Sequence, residues 1–269
     1  MTPFMHLLSP LLTLAFASGA ASPNADGLDA DERRMIALLG NSVSIAPSTA
    51  SVDAGAVCEA VLQPGSREYL ITHGKGAGGR LDITVAEAKR TPAAWPKSDA
   101  PPVVMTVPGR SVLYLHRDAD GRLVMPTQAD LEQSVMVGFE PGELFLPITS
   151  DPTPYEMKVK VWDLHDPTDL EHTGSMKVVA RDRGTWTVKT PAGDFDCRLY
   201  RLDYTGTVGP ASVEDTTLVF ASAKEGVVAR IAGKRVSAFL VYNTDTRFAF
   251  VLDTPRRGKG EKTSPTGDS

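Results

Sequence analysis

A chain of 269 residues with 42% hydrophobic and 23% charged side chains is long enough to bury a real core. Its formal charge of −5 at pH 7 is spread along the sequence, without the basic stripe that nucleic acid or an anionic membrane surface requires. Beyond the first residues no apolar run approaches membrane-spanning length, so the mature chain is expected to carry no span.

Leu7 to Phe16 is an apolar run, followed by the small residues Ala17 to Ala21 and a polar segment, which is the pattern of a cleaved export signal. No Lys or Arg precedes Arg33, so the amino terminus is the only early positive charge. The pattern predicts a signal over 1–21, cleavage after Ala20 or Ala21, and a periplasmic or secreted protein. Leu28 to Leu39 is the best helix candidate, with Asp29 or Asp31 as its cap and Gly40 as its stop. Ala56 to Leu62, around Cys58, reads as a β-type run, as does Phe195 to Leu199 around Cys197. In an oxidising compartment these two cysteines form a disulfide or remain two buried thiols, and the sequence leaves both open.

Gly74 to Gly79 satisfies G-x-G-x-x-G after a strand-like run, Glu68 to His73. A dinucleotide site needs a helix next, whereas Arg80 to Val85 alternates as a strand. The loop therefore reads as a flexible hairpin connection, and no cofactor is expected. The period of two continues through Ser111–Leu115, Tyr155–Trp162, Arg183–Val188, Thr216–Phe220, Gly226–Ile231, Val236–Tyr242 and Arg247–Leu252. Asp120-Gly121 marks a hairpin, Asn243 to Thr246 another turn, and Thr190-Pro191-Ala192-Gly193 a type I turn joining Arg183–Lys189 to Asp194–Tyr204. The proline-rich stretches Thr91–Pro102 and Pro141–Pro154 read as loops or edge crossings. From Pro255 to Ser269 no apolar anchor is present, which predicts a disordered tail. Residues 22–254 then form a single β-rich domain.

Chemical motifs are sparse. Asp163 to His172 holds His165, His172 and four carboxylates, a donor set that suits zinc, although polar loops between strands commonly have this composition. No G-x-S-x-G elbow occurs. Asp194, Asp196 and Asp203 are acids on strand faces, where the wet side of a sheet explains them as well as glycoside hydrolysis does.

Phe139-Glu140-Pro141-Gly142, Val178 to Val188, Thr190-Pro191-Ala192-Gly193-Asp194-Phe195-Asp196-Cys197 and Ala223 to Ile231 together resemble a family of uncharacterised exported bacterial proteins with a T-P-A-G-x-F hairpin. Those proteins are similar to half-open β-barrels of the periplasmic lipoprotein-carrier type. The resemblance implies an apolar concavity, a lipid or lipoprotein partner, and no catalytic residues to transfer.

The expectation is an all-β, mainly antiparallel protein: a curved sheet or half-open β-barrel with a short N-terminal helix. It is expected to be non-enzymatic, to bind an apolar ligand or lipidated partner or to serve cell-envelope assembly. Val159, Val161, Trp186, Val188, Phe195, Leu199 and Phe239 are the candidate lining. The competing readings are a metal-assisted hydrolase of envelope polymers using His165 and His172, and a structural or adhesion protein acting through an exposed sheet edge.

Overall fold

The computed structural model describes residues 27–88, 103–148, 151–238 and 242–257. The expected signal, the whole of the first proline-rich stretch Thr91–Pro102, Phe239 and the tail beyond Arg257 lie outside them. The elements are α1 (Ala30–Ile36) with a 3₁₀ turn at Ala37–Leu39, β1 (Ser44–Pro47), α2 (Ala54–Leu62), β2 (Gly65–His73), β3 (Arg80–Glu87), β4 (Val103–Val107), β5 (Ser111–Arg117) and β6 (Leu123–Asp130). They continue with β7 (Val135–Leu146), β8 (Asp151–Asp163), β9 (Leu170–Thr190), β10 (Gly193–Val208), β11 (Ala211–Ser222), β12 (Gly226–Ala238) and β13 (Tyr242–Arg257).

From β2 to β13 each strand pairs antiparallel with the next, and β13 returns to β2 with Phe250 opposite Ile71 and Leu252 opposite Tyr69. The half-open expectation is therefore corrected: the twelve strands form a closed ring. Closure pairs the backbone groups that an open barrel edge would expose, while β1, added beside β9, pairs on one side only among the described residues. β9 serves two partners. Its first part pairs with β8 as far as Ala180, and its last part pairs with β1 from Trp186 to Lys189. The change of partner falls at an irregularity opposite Arg198 and Tyr200, where Gly184 adopts φ 82°.

The local chemistry explains the turns. Asp118 accepts from the backbone N–H of Asp120 and Arg122 at 3.0 and 2.9 Å, closing the β5–β6 hairpin, and Gly121 takes φ 79°. Between β9 and β10 only Pro191 and Ala192 are unpaired, with Thr190 opposite Gly193, so the expected hairpin is present. The glycine-rich loop joins β2 to β3 without a helix.

Several boundaries differ. The run around Cys58 is α2, not a strand: Asp53 caps it by accepting from the Ala56 N–H at 2.7 Å, and Val57, Cys58, Ala60 and Val61 are all buried. A short helix apolar on most sides cannot be told from a strand by periodicity. Gly226 to Ala238 is one strand, and the expected turn at Asn243–Thr246 lies inside β13, paired with Lys234 to Ser237. Pro255 to Arg257 continue β13 beside β2, where Arg257 lies opposite Ser66. β7 runs through Pro141 because three extra residues bulge there against β6, so the missing N–H breaks no ladder bond. Cys58 and Cys197 are free thiols on different elements, one on α2 and one on β10; burial pushes the Cys58 thiol up to about 11.

The two helices cover different parts of the ring. α1 begins with a capping box, Asp29 receiving the Asp31 and Glu32 N–H groups while Glu32 receives that of Asp29. It lies on the outer face, where Glu32 bonds Arg183 at 2.8 Å and Asp29 bonds Arg201 at 3.0 Å. α2 packs on β11 and β12 at the end of the barrel, so close that a Cβ on Gly226 would meet the Val61 backbone at 2.9 Å.

Candidate functional site

A cavity of about 280 Å³ lies between β2, β3, β4, β5, β7, β12 and β13. Strands this far around the ring can share a cavity only inside it. Strand alternation supplies the lining: Tyr69, Leu81, Ile83, Met105, Leu113 and Phe250 are buried and point inward, and Val61 of α2 closes the end. The Tyr69 and Phe250 rings meet edge to face at 4.9 Å.

The lower halves of β6 and β7 divide the interior. Leu123, Met125, Phe145 and Leu146 join the cluster around the cavity, whereas Val124 and Leu144 join a second one with Met157, Val159, Val178, Ala180, Leu202 and Tyr204. Both faces of this segment are buried, so it acts as a partition.

Among the described residues, three arginines and no carboxylate line the cavity. Arg110 lies over the Phe248 ring at 4.8 Å and donates to the Lys75 carbonyl at 2.9 Å. Arg230 lies over Phe145 at 5.5 Å. Arg67 is 3% exposed and donates from Nη2 to the Ala60 carbonyl at 2.8 Å, while its Nε finds no partner among the described residues.

Beside the partition sits a charged group the sequence reading missed. Burial pushes the Glu143 carboxyl up to about 7, against the attraction of Arg230 and Lys234 and with the repulsion of Asp215. Asp215 is also raised, first by burial. The Tyr204 hydroxyl, against which Glu143 rests, donates to the Leu144 carbonyl at 2.7 Å. This group can hold a proton near neutrality within the barrel.

The structure separates the expected lining residues. Val159 and Val161 face inward in the second cluster, beyond the partition. Trp186, Val188, Phe195 and Leu199 belong to the opposite face of the sheet, since Leu199 pairs with Phe220 while the inward Tyr200 pairs with Val219. Trp186 and Val188 lie opposite Pro47 and Ile45 of β1, which pairs beside β9 in the sheet. Phe239 falls outside the described residues. The signal that would have found Arg67 is its parity with Tyr69 and Ile71 on one strand.

His165 and His172 are both exposed, and Asp163 and Asp166 spend their oxygens on backbone N–H groups of their own loop. Among the described residues no three His, Cys, Asp or Glu side chains gather as metal ligands. Asp196 receives the hydroxyls of Ser48 and Thr187, and Asp203 pairs with Arg181 and Arg201. A cleft of about 430 Å³ bounded by Ser51, Asp53, Asp194, Asp196 and Lys224 opens to solvent outside the barrel. Among the described residues no helix is long and apolar enough to cross a membrane.

No family model matches the chain, and no curated protein matches it. Three solved structures are similar. A protein described as exported with a YmcC-like fold, from Bacteroides fragilis NCTC 9343, shares 13% identity over 72% of this chain and 97% of its own, with a TM-score of 0.37. The hypothetical lipoprotein YmcC from Escherichia coli shares 12% identity over 72% and 89%, with a TM-score of 0.35. A protein described as a lipoprotein, from Parabacteroides distasonis ATCC 8503, shares 13% identity over 72% and 95%, with a TM-score of 0.33. Identities and scores this low place no functional residue on this chain.

Proposed function

We propose that this is an exported, non-enzymatic binding protein that takes an apolar ligand into the barrel interior. One observation carries the reading: the inner cavity of about 280 Å³ is walled by aliphatic and aromatic side chains, with polar groups at a few points only. Ligand pockets have this composition and start at roughly 300 Å³. A well-packed interior has few voids larger than a water molecule, so an apolar hole of this size costs stability when empty and regains it when filled. Export follows from the leader pattern at residues 1–21.

An environment-sensitive apolar dye tests this. Saturable fluorescence enhancement is expected with the native protein and is lost in Ile83→Trp, which fills the cavity from β3. Absence of saturable binding to the native protein, with a hydrophobic extract of it also empty, removes the reading.

A further inference from the structure

Arg67 is a buried cation with a neutral hydrogen-bond partner, beside an apolar cavity. Its Nη2 caps the last turn of α2 through Ala60, and among the described residues it forms no ion pair. Glu225 acts on it through space without a direct ion pair, its Oε2 accepting from the Arg256 N–H at 2.9 Å. Burial draws the Arg67 guanidinium below its usual range. The half-buried guanidinium groups beneath α1 are neutralised: Arg183 and Arg201 share Glu32, and Arg201 also meets Asp29, Asp31 and Asp203.

We propose that Arg67 is the headgroup anchor of the cavity and that its ligand is a single-chain amphiphile with a carboxylate head. This rests on the binding reading above. The carboxylate sits at the α2 end against Nε of Arg67, and the chain runs between Tyr69, Leu81, Met105 and Phe250 toward Phe248 and Arg110. A wholly apolar occupant would leave the Nε–H unpaired in a dry site, whereas a carboxylate satisfies it with a charge-assisted bond. A cationic head meets three arginines and is excluded. A carboxylate carries one negative charge to balance one guanidinium, whereas a phosphate's larger charge calls for more donors.

Dodecanoate, 1-dodecanol and dodecyltrimethylammonium, competed against the bound dye on the full chain, test the assignment. Dodecanoate is expected to bind at least tenfold more tightly than dodecanol, and the trimethylammonium compound more weakly than either. Arg67→Met brings the acid down to the alcohol; Arg67→Lys keeps part of the preference; Arg110→Met, at the mouth, keeps the acid-to-alcohol ratio even where it weakens both. Equal binding of acid and alcohol to the native protein overturns the Arg67 assignment and leaves the cavity reading standing. Preference lost in Arg110→Met but kept in Arg67→Met overturns it by placing the head at the mouth. Binding of none of the three, with no dye uptake, removes the cavity reading itself. Should Arg67→Met not fold, the native acid-to-alcohol ratio and the Arg67→Lys and Arg110→Met variants still decide.

Discussion

The outer face beneath α1 half-buries two arginines and the inner face beside α2 buries one, and they partner them differently. Outside, Glu32 is 1% exposed and bonds Arg183 at 2.8 Å, with Arg201 held between acids of α1 and Asp203 of its own strand. Inside, Arg67 has a carbonyl and an unpartnered Nε. A buried charge facing an opposite charge fastens one element to another; a buried guanidinium without a carboxylate partner is kept at a cost that packing does not explain. The first arrangement clamps the N-terminal segment to the barrel, and the second leaves a site to be completed from outside the chain.

The largest test of that contrast is Glu32→Ala. It strips Arg183 of its carboxylate and opens the capping box of α1, so urea unfolding should show a loss of about 3–5 kcal/mol. Arg67→Met in the same assay gives up one bond to Ala60 while relieving a buried charge, so its change should stay within about 1.5 kcal/mol. Comparable losses in the two variants would erase the distinction and make Arg67 a clamp like Glu32.

A smaller effect separates the interior from the surface by pH. Glu143 titrates at about 7 in the fold against an ordinary value of 4.5, raised chiefly by burial. The native state therefore binds this proton more tightly than the unfolded chain between those two values. Its contribution is complete below about pH 4.5 and is lost as pH rises through about 7, to the extent of roughly 1–3 kcal/mol. Glu143→Gln imitates the protonated form and should flatten the fall measured between about pH 5 and pH 8. An equally steep fall in the variant would move the proton to another group, of which Asp215 is the first to examine.

Much of the sheet could be read before the structure, because half-buried strands write their burial into alternate residues. β3 is the plainest case, with Leu81, Ile83 and Val85 buried between exposed neighbours. Turns were legible for a similarly local reason, in Asp118-to-Gly121 and Thr190-to-Gly193. What escaped was set by distant partners. Closure pairs Phe250 with Ile71, and no local pattern announces it. Trp186, Val188, Phe195 and Leu199 look like cavity lining because they are apolar and alternate, yet which face of a sheet becomes the interior is decided by how the ring closes. The irregularity between Phe220 and Ala221 against β12 leaves Val228 unpaired, so Val227 and Arg230 both reach the cavity and a strict period of two fails there. α2 was lost in the ambiguity of a short apolar run, and with it the floor that brings Ala60 to Arg67.

The smallest expected effect completes the scale on which the two buried arrangements are judged. Arg80 begins β3 and bonds Glu68 at 2.7 Å and Asp253 at 3.2 Å, better geometry than several buried contacts, but its side chain is 65% exposed. Water competes for every one of those bonds and salt screens them, so Arg80→Ala should cost less than about 1 kcal/mol and less still at high ionic strength. Two ion pairs on paper would thus matter less than the one from Glu32 to Arg183, because burial rather than the number of contacts sets their worth. A loss from Arg80→Ala equal to that from Glu32→Ala would show that the β2, β3 and β13 seam, where the ring closes, depends on this surface charge.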